Sequence, residues 1–368
     1  MRVIGIFVAS AWLASAFLSG RALAAEASGS STNRPGPWPS STVETARVHR
    51  ASESDSSIYG WTGERNPSAQ GDRMAKVPAG YRLDNPSLPA GMAWIPPGLF
   101  LPGRGVIPSE DSSDTNAAVR VREFLIDICE VPGWLWTDVR DWATNHGYSD
   151  ISPGQWGACA TGGVAGADHP VVLVSWYDCV KWCNARSEME GLVPVYYTDV
   201  CQWREFRTGT VELTSAMIDA NATGYRLPTE VEWEMAARGG RFGSAYPWGD
   251  SLERGGANSM DSGDPFDNGT TPTGYYDGRQ RIDGEAAAKD MMNEYGLMDM
   301  AGNVYEWCWD PFVLQGAEDE GDRIRAPRAM RGGSWRSRDE TRLMCGYRNG
   351  MNAMRSSDCV GFRCVRRR

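Results

Sequence analysis

Residues 331–350 read RGGSWRSRDETRLMCGYRNG. Arg336, Arg338, Arg342 and Arg348 stand beside Trp335, Tyr347 and Asn349 in this segment. Guanidinium forks match the oxygens of a carboxylate or sulfate, and indole and phenol rings offer flat apolar faces. That mixture is recognition chemistry, common where proteins bind other molecules. The plainer alternative is that these arginines pair with neighbouring acids such as Asp339 and Glu340. The segment holds one thiol, Cys345, so two thiolates cannot come from within it.

The other thiols are spread along the chain. The nine cysteines are Cys129, Cys159, Cys179, Cys183, Cys201, Cys308, Cys345, Cys359 and Cys364. An odd count leaves at least one outside intramolecular bridges. Cys179 and Cys183 are one helical turn apart, which suits either a metal pair or core packing with a disulfide. The three histidines, His49, His146 and His169, are too dispersed to argue for a three-histidine site. No nucleophile-elbow motif points to Ser/His/Asp chemistry.

Three helices would position these groups. VPGWLWTDVRDWATNHG carries apolar residues at Trp134, Leu135, Val139 and Trp142 and ends at Gly147. SWYDCVKWCNARSEMEG has Ser175 as N-cap, Asp178 three residues on, and Gly191 at its end. RLPTEVEWEMAARGG has Thr229 as N-cap, Glu232 to close a capping box, and Gly239 at C′. Elsewhere Gly, Pro, Asn and Asp recur between short aromatic or β-branched runs. This predicts an α+β fold with few helices, short strands and much irregular chain.

The N-terminus sets a compartment. Arg2, the apolar run Val3–Leu18 and Ala22-Leu23-Ala24 read as a secretory signal peptide over 1–24. Residues 25–90 are rich in Ser, Gly, Pro and Asn and read as a flexible leader. Globular patterning occupies 91–368. The expected protein is secreted or periplasmic, with no membrane span after signal cleavage and with several cysteines paired. The net charge is −10 and no basic stripe is present, so nucleic acid is not expected as a partner.

Seven stretches in order, MAWIPPGLFLPG, HPVVLVSWYDCVKWCN, GYRLPTEVEWEMAARGG, YPWGD, NEYGLMDMAGNVYEWCWD, RGGSW and GFRCVRRR, resemble the formylglycine-generating enzyme, or sulfatase-modifying-factor, family. The resemblance covers 91–368 and implies a single α+β domain related to C-type lectins. It also implies a surface cleft lined by 335–358. Family oxidases hold Cu(I) on two cysteines in this region, soft ligands for a soft ion. Counting forward from Gly332-Gly333-Ser334 puts those positions near Ser337 and Arg342. Counting back from Gly361-Phe362-Arg363 puts them near Trp335 and Glu340, with Cys345 on a structural position. Neither count meets a cysteine, so copper is not expected.

The resemblance further implies a Cys183–Cys364 disulfide and structural calcium. Asp299, Gly302, Val304 and Glu306 would hold one ion. Asn258, Ser259, Asp264 and Phe266 would hold a second, with Asp261 and Asp267 as competitors of Asp264. Mixed side-chain and main-chain oxygens are what Ca²⁺ takes. Three readings of function stand at this point. The first is an exported binding or assembly module with a protein, peptide or glycan in the cleft. The second is a divergent periplasmic oxidase of the pyoverdine-maturation kind, and the third a sulfatase-activating oxidase.

Overall fold

The computed structural model describes residues 88–103, 118–159, 162–199, 201, 204–266, 268–286, 289–312 and 326–368. The residues read as a signal peptide, and all but the last of those read as a leader, lie outside them. The helices are α1 (Gly133–Thr144), α2 (Trp176–Met189) and α3 (Glu230–Ala237). Both capping boxes read from sequence form. Ser175 accepts from the Asp178 amide while Asp178 accepts from the Ser175 amide, and Thr229 and Glu232 do the same for α3. Each box satisfies amides that would otherwise be orphaned, at about 1 kcal/mol per cap. Gly147, Gly191 and Gly239 follow the three helices with positive φ.

The buried face of α1 is turned from the one expected. Trp136, Val139 and Ala143 are inside, whereas Trp134 is 49% exposed. The reason is the partner helix. Trp136 stacks on Trp182 of α2 at 5.5 Å, and Phe362 meets both rings edge-on. Such aromatic pairs contribute about 1 kcal/mol beyond their buried area. Residues Trp176 to Ser187 of α2 are all buried, so this helix is enclosed on every side.

Eight short strands make two four-stranded sheets. These are β1 (Met92–Ile95), β2 (Phe124–Asp127), β3 (Tyr225–Arg226), β4 (Tyr305–Pro311), β5 (Pro327–Arg331), β6 (Asn349–Asn352), β7 (Val360–Gly361) and β8 (Val365–Arg366). The first sheet runs β1-β2-β8-β3, all antiparallel. The second runs β6-β5-β4-β7, with only the β4–β7 pair parallel. Helices are few and strands short, as the turn-rich sequence predicts. Among the described residues no helix is long and apolar enough to cross a membrane.

Strand β4, YEWCWDP, separates two cores because side chains alternate across a strand. Tyr305, Trp307 and Trp309 pack with α1 and α2. Cys308 packs on the other side, with α3 and Cys345. Glu306 points the same way as Cys308 and accepts from the Trp233 indole of α3 at 2.7 Å.

Candidate functional site

Cross-strand partners share a face of a sheet. Tyr305 pairs with Val360, Trp307 with Met330, Met330 with Asn349, and Arg328 with Met351. One face of the second sheet therefore presents all of these side chains together. At its Tyr305 end residues of the segment 334–342 join them around an open cavity of about 220 Å³. Met330, Met351 and Val360 form an apolar wall, and Ser334, Ser337, Ser357 and Cys359 a polar one. Arg336, Arg342, Asn349 and the Tyr305 ring complete the lining.

The segment 334–342 is held closely. Gly333 has φ +79°, and a side chain there would run into the Arg342 carbonyl and Leu343. The Trp335 amide donates to Asn303, and the Ser337 Oγ accepts from the Ser334 amide at 3.0 Å. Asp339 caps the one-turn 3-10 helix Glu340–Leu343 by accepting from Thr341.

Of the seven residues proposed for the cleft, Arg336, Arg342 and Asn349 line this cavity. Trp335 is buried, its indole donating to the Asp358 carbonyl at 3.1 Å and its ring lying under the Arg336 guanidinium at 4.4 Å. Arg336 is ion-paired with Asp358, and Arg348 makes a bidentate pair with Glu230 of α3. Arg338 is exposed and rests on the Met260 sulfur. Tyr347 packs at the edge of the α1–α2 core. The acids that take up arginines here are Asp358 and Glu230, distant in sequence, rather than Asp339 and Glu340.

The two ways of counting toward the family's cysteine positions now separate. Ser337 and Arg342 both face the cavity, whereas Trp335 is turned away and Glu340 is exposed. A hydroxyl and a guanidinium do not supply the two soft sulfur ligands that Cu(I) takes. Cys359 is the one thiol lining the cavity among the described residues. Burial holds it protonated, with the Ser357 hydroxyl 3.2 Å away. Cys345 lies in the second core, and burial pushes its thiol up to about 12.

Behind β4 lies a buried charge cluster. Glu306 is fully inaccessible and makes a two-pronged pair with Arg363, both contacts at 2.7 Å. Asp299, in the left-handed region at φ +57°, accepts from the Gly274 amide. Beside them is Glu130, 1% exposed, with neither carboxylate oxygen hydrogen-bonded. Burial, then the nearby charge of Asp299, pushes the Glu130 carboxyl well above the usual range. Burial does the same to Asp299. Three carboxylates thus share one arginine, and an orphaned buried carboxylate is costly. A divalent cation held by hard oxygens would relieve that cost at Glu130 and Asp299, whereas both Glu306 oxygens already accept from Arg363 and Trp233. Among the described residues no three acidic, histidine or cysteine side chains converge on one point, so such an ion would rely on the Gly302 and Val304 carbonyls as well.

The second set looks different. Asp264 already accepts from the Ser262 hydroxyl, the Tyr276 hydroxyl and the Phe266 amide, at 2.6, 2.8 and 2.8 Å. The Asn258 amide group donates to Gly269 and to Asn303, and Ser259 is half-buried beside it. These side chains are satisfied by protein partners. Asp261 has φ +60°, and Asp267 is outside the described residues. The Cys183 and Cys364 sulfurs, both fully buried, face each other at 3.7 Å as thiols. His169 is buried and bonded to Thr270.

Sequence reasoning passed over Glu130, Tyr305 and Cys359. Glu130 had a visible signal, an acid within the largely apolar run FLIDICEVPGW, which also holds Asp127. Tyr305 and Cys359 had none, since only the pairing of β4 with β7 brings them to one cavity.

An α+β scaffold with this cleft and this buried acidic cluster defines the class. The chain belongs to the family of sulfatase-modifying factor enzyme 1-like domains, whose model matches residues 82–368. It is 31% identical over 222 residues to the Chaperone protein LppX of Paenibacillus barcinonensis, across 58% of this chain and 71% of that protein. It is 27% identical over 303 residues to the Inactive C-alpha-formylglycine-generating enzyme 2 of Mus musculus, across 74% and 85%. It is 36% identical over 167 residues to the Formylglycine-generating enzyme of Streptomyces coelicolor, across 42% of this chain and 51% of that enzyme. It also matches chlamydial serine/threonine-protein kinases, spanning about a fifth of their length. The solved structure of CarF aligns with a TM-score of 0.58 and 28% identity, over 76% of this chain and 99% of CarF.

Proposed function

We propose that this chain is an exported binding or assembly module that keeps the sulfatase-modifying-factor fold and has exchanged a copper-binding thiolate pair for a polar, cationic cleft. One observation carries the reading: Ser337 and Arg342 face the cavity where the resemblance expects cysteines. The relatives' names support it without choosing alone, since one is called a chaperone, one an inactive enzyme and one a formylglycine-generating enzyme. The occupant of the cleft is a protein, peptide or glycan. Calcium bound at Glu130, Asp299, Glu306 and the Gly302 and Val304 carbonyls is structural. Export rests on the signal-like residues 2–24 and on a cysteine-rich chain suited to an oxidising compartment.

A second reading, a divergent oxidase, draws on Cys359, the thiol that does face the cavity. Copper-loaded protein incubated in air with a cysteine-containing sulfatase peptide separates the two. The binding-module reading expects the peptide mass unchanged. Conversion of the cysteine to an aldehyde overturns it, and loss of that conversion in Cys359→Ser would place the chemistry on that thiol.

A further inference from the structure

We infer that the cavity between the second sheet and residues 334–342 is a carboxylate-binding subsite, with Arg342 and the Tyr305 hydroxyl holding the anion and Met330, Met351 and Val360 receiving a short apolar stem. This rests on reading the cleft as a binding site. It adds the chemistry of the group that enters.

Tyr305 carries the inference. Its side chain lines the cavity, the residue is 5% exposed, and its hydroxyl makes no well-formed hydrogen bond, with the Asn349 and Ser337 side chains beside it. A buried hydroxyl left without a partner is unfavourable. Tyr148 shares that state, whereas other buried tyrosines avoid it. The Tyr276 hydroxyl reaches Asp264, and the Tyr225 hydroxyl reaches Glu190. The Tyr305 side chain is part of the cavity lining. A phenol hydroxyl can donate to an anion.

Arg342 supplies the charge. The other two arginines proposed for this region that lie closest to acids are neutralised, Arg336 by Asp358 and Arg348 by Glu230. Arg342 is exposed, lines the cavity, and makes no ion pair among the described residues. One unpaired guanidinium matches one negative charge, and its planar fork matches the two oxygens of a carboxylate. A dianionic phosphate would leave a charge unmatched beside Asp358. Ser337 and Asn349 add polar groups around the same point. The wall of two methionines and a valine accepts aliphatic groups of varied shape, as thioether side chains adapt readily.

The carboxylate can belong to the C-terminus of a peptide or to a free aliphatic acid. Calorimetric titration of the full chain distinguishes them with three probes. These are an N-acetylated peptide ending in leucine with a free carboxylate, the same peptide as its C-terminal amide, and hexanoate. The subsite predicts that the acid peptide binds at least about tenfold more tightly than the amide. Hexanoate matching the acid peptide identifies a small acid as sufficient; hexanoate failing where the peptide binds identifies a C-terminus. Arg342→Gln and Tyr305→Phe should each weaken carboxylate binding by about tenfold or more, with the melt of Arg342→Gln unchanged because that side chain is exposed. Equal binding of acid and amide, absence of binding by either carboxylate, or wild-type affinity in Arg342→Gln overturns the subsite. Copper retention with peptide oxidation would overturn the binding-module reading by a separate readout. Carboxylate binding lost in a copper-free protein removes the subsite alone.

Discussion

Single residues set the sharpest expectations. Glu130 has no partner in the cluster it shares with Asp299, Glu306 and Arg363, whereas Glu306 has three hydrogen bonds from Arg363 and Trp233. Removing Glu306 would therefore break the fold whether or not calcium binds. Glu130→Gln is the cleaner probe, because it removes an oxygen ligand that can ionise while keeping the shape of the side chain and breaking no ion pair. If calcium stands about a hundredfold above its Kd, it stabilises by about 2.7 kcal/mol. Chelation should lower the wild-type melting temperature by several degrees, and Glu130→Gln should be nearly indifferent to chelator. Identical melts of the wild type with and without chelator would rule the ion out. Asp310 tests the electrostatics independently. Burial pushes its carboxyl up to about 6, although it accepts from the Glu230 amide at the start of α3. A raised acid binds its proton more tightly in the folded state. The associated stability is complete below about pH 4 and is lost as pH rises through about 6, a swing of about 2–3 kcal/mol. Asp310→Asn keeps the acceptor and cannot ionise. It should match the wild type at pH 4 and melt higher at pH 7.5, and a variant no more stable at pH 7.5 would contradict this.

At the scale of elements, the helices were the legible part. Thr229 with Glu232, and Ser175 with Asp178, announce their helix starts because capping is local chemistry between residues three apart. The buried face of α1 was not legible, since four of its residues are apolar enough to face inward and only the Trp182 ring on α2 selects Trp136. The cavity was partly legible for the same reason. Arg336, Arg342 and Asn349 lie in one segment, but Tyr305, Met330 and Val360 join them through strand pairings far apart in sequence. The Cys183–Cys364 contact ties α2 to the residues just before β8. We propose that it is a disulfide in exported protein, closing a loop with a sequence separation of 181. In the chain-entropy model such a bridge stabilises by about 5 kcal/mol. Unreduced peptide mapping should recover the two cysteines linked, and the melting temperature should fall on reduction. Recovery of both as free thiols from oxidised, exported protein would refute the bridge.

For the whole molecule, membership of the sulfatase-modifying-factor family leaves activity open, because one scaffold carries different sites. The seven ordered stretches made the family readable, since glycine turns and capped helices keep their order when a site changes. What the cavity contains decides between oxidase and binding module, and that needed the folded arrangement. The central claim is that Ser337 and Arg342 stand where a thiolate pair would otherwise hold copper. The measurement that tests it most directly is Cu(I) affinity by competition with a chromophoric chelator, made on the wild type and on Ser337→Cys/Arg342→Cys. The account predicts that the double variant acquires a one-copper site that competes with the chelator and that the wild type does not. A wild type that holds one Cu(I) as tightly as the double variant would contradict it.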